Sequence, residues 1–128
     1  MRDDDFATAT KVSLAKRVGT RCTNPSCRKQ TSGPAADPKG VINIGVAAHI
    51  TAASTGGPRF DETLPKESRR SIKNGIWLCQ NCAKLIDSDA RAYTVKLLRT
   101  WKQLAEEEAR IAVEGVHKSK KPSESEAP

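Results

Sequence analysis

The sequence predicts an α+β fold: a small strand–loop–strand–helix unit pinned by cysteines and flanked by an N-terminal and a C-terminal helix. Three observations carry this. Apolar residues recur at helical spacing near both ends of the chain, short β-branched runs sit between them, and the four cysteines fall in two close pairs. At 128 residues with 37% hydrophobic side chains, the chain makes one small domain whose core alone is thin, because small domains bury a limited fraction of their surface.

The first helix is expected over residues 4 to 18, where Phe6, Ala9, Val12, Ala15 and Val18 or Leu14 share one side, with Asp4 or Asp5 as N-cap and Gly19 as terminator. From Cys22 to Gly40 the chain is dense in Pro, Gly, Ser and Thr and reads as a loop around the first cysteine pair. Val41 to Ile50 reads as one strand, bent at Gly45 and carrying His49 near its end. A long basic excursion follows, with a turn at Gly56-Gly57-Pro58 and a short helix from Pro65 to Ser71. Ile76 to Cys79 is the second strand and Asn81 to Ile86 a short helix. Thr94 to Ile111 is a long helix, apolar at Val95, Leu98, Trp101, Leu104 or Ala105, and Ile111, with Glu106, Glu107 and Glu108 on its exposed side, and it is expected to pack on the first. The folded domain is placed at residues 1–114 and a disordered tail or linker at 115–128, which includes His117.

Twenty-two Lys and Arg against fifteen Asp and Glu leave a net charge of +7, which favours a polyanionic partner. There is no apolar run of the length that spans a bilayer, and MRDDDF is too acidic for a secretory signal. The expectation is a soluble, cytoplasmic chain with no membrane partner.

Cys22-x4-Cys27 and Cys79-x2-Cys82 are two turns that each present a pair of thiolates, the usual way to surround tetrahedral zinc. In a reducing compartment this reading is preferred over disulfides, and over four unrelated thiols. With four protein ligands no coordination position stays open, so the zinc is expected to be structural. His49, taken alone, is a strand-end histidine of the kind that is commonly just packed or surface-exposed. Its setting before the Arg-rich excursion, and the expectation that it faces the helix carrying Asp87, make the two a candidate pair for holding a metal and a water over a phosphate.

The run GVAAHITAASTGGPRFDETLPKESRRSIKNGIWLCQNCAKLID, preceded by RCTNPSC, resembles the HNH endonuclease (ββα-metal) family, and more closely the HNH module of bacterial antiphage effectors, often fused to sensors of cyclic oligonucleotides. The resemblance covers roughly residues 6 to 105. It implies a metal-dependent DNA endonuclease in which His49 is the general base, Asn74 holds the loop and the histidine in position, and a helix residue binds a divalent ion such as Mg2+. Two positions depart from the pattern: Ala83 stands where a further motif residue usually follows the last cysteine, and Ala48 where a metal ligand often precedes the histidine. Asp87, one helical turn beyond Ala83, is then the expected ligand, with Asn81 second. DNA contact is assigned to Arg59, Lys66, Arg69, Arg70 and Lys73. At this length the chain is expected to depend on a sensor domain or regulatory chain for control. The alternatives are a non-catalytic zinc-stabilised nucleic-acid-binding module and a zinc-ribbon interaction protein.

Overall fold

A computed structural model of the chain describes residues 5–115. Helix α1 (Thr8–Arg17) is followed by strands β1 (Ser32–Pro34), β2 (Val41–Asn43) and β3 (Gly45–His49), the single-turn helix α2 (Lys66–Arg69), a 3-10 turn (Ile72–Asn74), strand β4 (Gly75–Cys79), and helices α3 (Gln80–Ser88) and α4 (Val95–Glu114). The α+β class is as expected, and α4 is the long helix, started by Thr94, whose hydroxyl accepts a hydrogen bond from Leu97 N–H. The tail from residue 116 lies outside the described residues, as does Asp4.

Two elements differ from the sequence reading. Val41 to Ile50 is not one bent strand. It breaks at Ile44, so that β2 pairs antiparallel with β1 and β3 pairs antiparallel with β4, forming two separate two-stranded sheets. The break is held by Ile44, whose N–H donates to Thr31 C=O while its own C=O accepts from Gln80 N–H. The region from Cys22 to Gly40 therefore contains a strand that composition hid. The first helix also starts later, with Ala7 as its N-cap, because Asp5 is engaged elsewhere.

The β3–β4 ribbon is covered on both faces. Strand alternation sends Ala48, Ile76 and Leu78 to one face, where they pack with Cys82 and Ile86 of α3 and Leu98 and Trp101 of α4. It sends Ala47 and Trp77 to the other, where they meet Leu14 and Val18 of α1 and Ala105 of α4. Helix α4 thus spans both clusters, and α1 packs on it as expected. Glu106, expected on the exposed side, instead turns toward α1 and takes a two-pronged ion pair from Arg17, with Nε and Nη2 at 3.0 and 2.9 Å. Gly45 is required by the ribbon: a side chain there would strike the Trp77 ring at 2.2 Å.

Candidate functional site

The four cysteines converge. Their Sγ atoms all lie within 4.8 Å of one another, with Cys27 and Cys79 at 4.0 Å, and a tetrahedron with metal–sulfur bonds of about 2.3 Å needs sulfurs roughly 3.8 Å apart. The donor set therefore fits zinc. Local sequence builds each half. Asn24 organises the first knuckle: its Oδ1 accepts from Ser26 N–H and its backbone C=O accepts from Cys27 and Arg28 N–H. Arg28 adopts a left-handed φ of 55°, and its guanidinium ties the knuckle to α4 through Cys22 C=O and the Glu108 carboxylate, each at 2.6 Å. In the second half, Cys79 is the N-cap of α3, its sulfur accepting from Cys82 N–H. The halves join where Thr23 N–H donates to Trp77 C=O and Asn24 Nδ2 approaches the Cys82 sulfur at 3.4 Å. Burial pushes the Cys22 and Cys82 thiols up, whereas Cys79, also raised by burial, is brought below its ordinary value by the Cys82 N–H and the neighbouring thiols. A cation is what would let all four act as thiolates.

His49 ends β3, half-buried and paired in register with Gly75. Asn74, immediately before that glycine, is 2% exposed. Its side chain accepts from Thr51 N–H at 3.0 Å and donates to Thr51 C=O at 2.9 Å and Arg69 C=O at 3.0 Å, while its backbone C=O takes the Ile50 N–H. Asn74 thus laces the departing chain after His49 to the returning chain before β4. At this depth its polar atoms are spent on the backbone of the two chain segments it joins.

His49 and Asp87 do not face one another. Ala48 points to the α3 side, so the next residue, His49, turns to the α1 side, where its ring stacks on Phe6 with centroids 4.0 Å apart. Asp87, on α3, pairs instead with Arg59 at 2.8 Å. That arginine differs from its expected role at a nucleic-acid surface. It sits at a left-handed φ of 57°, its side chain is 5% exposed, and its other donors go to the C=O groups of Ile50, Ile86 and Tyr93. It is a buried brace between the loop after β3 and the end of α3, its four charge-assisted contacts offsetting a backbone strain of about 1 kcal/mol. Arg69 is also turned inward, donating to Leu64 C=O and lying 5.2 Å over the Phe60 ring. Lys66, Arg70 and Lys73 are exposed. Arg99 joins them, since its Nη1 donates to Lys73 C=O at 3.0 Å.

The two residues suggested as alternative ligands of a second, catalytic ion lie apart. Asp87 is committed to Arg59, Asn81 lies exposed on the first turn of α3, and six residues along a helix is about 120° around its axis, so the two do not converge. Ala48 and Ala83 contribute only methyl groups to the apolar cluster under α3. Among the described residues the four cysteines are the one group of three or more His, Cys, Asp or Glu side chains placed to hold a metal, and no helix is long and apolar enough to cross a membrane. Comparison of the chain with protein-family models and with curated proteins finds no match.

The sequence reading did not single out Asn24, and it gave Phe6 and Arg59 other roles than the ones they take here. Phe6 could be flagged as apolar, but nothing in its periodicity distinguishes packing on α1 from packing on a histidine.

Proposed function

We propose that the chain is an HNH-type endonuclease that hydrolyses DNA phosphodiester bonds with little sequence preference, with His49 as general base. The supporting observation is the end of the β3–β4 ribbon. There His49 pairs with Gly75, and Asn74 ties the chain after His49 to the segment that carries the exposed Lys66, Arg70 and Lys73. In its neutral form the imidazole takes a proton from water as general base. The resulting hydroxide attacks phosphorus in line with the 3′ oxygen, giving a 5′-phosphate and a 3′-hydroxyl. Lys66, Arg70 and Lys73 hold the strand through its phosphates, which gives weak sequence preference and a steep salt dependence. The proposal includes a divalent ion as an aid to phosphate neutralisation, but assigns no residue to it. A role in antiphage defence, under the control of a sensor domain or regulatory chain, belongs to the same proposal.

A second reading, a zinc-stabilised nucleic-acid-binding module without catalysis, is favoured by the methyl groups of Ala48 and Ala83 and by the Asp87–Arg59 pair. Nicking of supercoiled plasmid separates the two. His49→Ala is expected to lower the rate by about 10² or more while zinc content and thermal stability are kept. Asp87→Ala is expected to cleave at close to the parent rate, with only about 1 kcal/mol lost in stability, because the pair is half-exposed on the aspartate side. Binding without nicking by the parent protein selects the second reading.

A further inference from the structure

The segment ahead of α1 supplies the surface against which His49 lies. Phe6 is 2% exposed, and its ring is nearly parallel to the imidazole, with planes 14° apart and centroids 4.0 Å apart. The approach depends on Gly75, the register partner of His49. A side chain there would come within 2.5 Å of Leu14 Cδ1 and 3.2 Å of Phe6 Cζ, so only glycine lets the phenyl ring and α1 close over this end of the ribbon. Asp5 fastens the segment, its Oδ1 accepting from Phe6 N–H at 2.8 Å and its Oδ2 lying 3.5 Å from Lys11 Nζ on α1. Burial raises the Asp5 carboxyl, but the Phe6 N–H, Lys11 and the His49 charge outweigh it and hold the group below its ordinary value.

A face-to-face stack restrains a histidine in a particular way. The lone pairs and N–H bonds of imidazole lie in the ring plane, so a ring laid on its face fixes that plane without itself occupying either nitrogen. An aliphatic neighbour of the same volume would bury the face without setting the plane.

We propose that Phe6 is a positioning residue for His49, its ring setting the plane in which the imidazole accepts a proton, with Asp5 fastening Phe6 in place. This inference rests on the proposed nuclease reading. In that reading the N-terminal segment is part of the active site, although it lies more than forty residues from the histidine in the chain.

Nuclear magnetic resonance of the full chain provides a test that does not depend on activity. The sequence has two histidines, His49 and His117, so His49→Ala assigns the imidazole signals. Cross-peaks between the Phe6 ring protons and those of His49 are expected in the parent protein, and their absence would overturn the proposal. Phe6→Leu is expected to move the His49 ring signals downfield, as the ring current is lost, and to lower kcat by about tenfold with KM within about twofold. Phe6→Met, which fills volume flexibly, serves as the second variant where Phe6→Leu folds poorly. A folded variant of either kind with unchanged kcat contradicts the positioning role. If the parent protein does not cleave DNA at all, the nuclease reading fails and the positioning role goes with it. Missing cross-peaks in a parent protein that does cleave would defeat the positioning role alone.

Discussion

Cys79→Ser is expected to leave the chain largely unfolded at room temperature. Cys79 does three things at once: it closes β4 as the register partner of Gly45, caps α3 through its sulfur, and supplies a donor to a cluster that fits zinc. The zinc-binding free energy of such sites, on the order of 10 kcal/mol, is also folding free energy. It compares with a net stability of about 5 to 15 kcal/mol for a whole domain, so its loss cannot be absorbed by two small apolar clusters. The same outcome is expected on stripping the metal with a strong chelator, and binding should weaken as pH falls, since protons compete for the thiolates. Far-ultraviolet circular dichroism and metal analysis check this together. One zinc per parent chain and a collapsed spectrum for Cys79→Ser are expected; a metal-free sample with a native spectrum would remove the four-cysteine zinc site.

Asn74→Ala carries the second large effect. It removes an acceptor from the Thr51 N–H and a donor from two C=O groups, Thr51 and Arg69, within a residue that is 2% exposed. An unsatisfied buried polar group costs about 1 to 3 kcal/mol. Some of these groups will regain water at the loop, so a loss of about 3 kcal/mol is expected, or a fall in melting temperature on the order of 15 °C for a domain of this size. Denaturant unfolding gives the free energy directly. A loss under about 0.5 kcal/mol, the range of an ordinary surface change, would contradict the lacing role of Asn74.

The parts of the molecule that were legible in the sequence are those fixed by local patterns. The paired cysteines announced their cluster because each pair sits on a turn whose geometry depends only on near neighbours, and α4 announced itself by a long apolar stripe closing on Trp101 and Ala105. The break at Ile44 was not legible, since it is made by hydrogen bonds to Thr31 and Gln80, partners remote in sequence. Nor was the role of Arg59. Five basic residues in one excursion look alike in a sequence, and only the folded loop shows that two of them, Arg59 and Arg69, are turned inward while Lys66, Arg70 and Lys73 face solvent. The expectation that His49 faces Asp87 erred by one step of strand alternation. With Ala47 and Ala48 both small and apolar, the sequence did not say which of them took the α3 face, and the histidine's own direction hung on that choice.

The most direct measurement of the central proposal is cleavage of a duplex oligonucleotide by the purified chain in 18O-labelled water, with and without added Mg2+, followed by mass spectrometry of the products. A general-base hydrolase acting through His49 is expected to yield 5′-phosphate ends carrying one 18O atom and unlabelled 3′-hydroxyl ends, with both products lost in His49→Ala. Duplex that is bound yet stays intact under every metal condition would contradict the nuclease proposal and leave a zinc-stabilised nucleic-acid-binding module in its place.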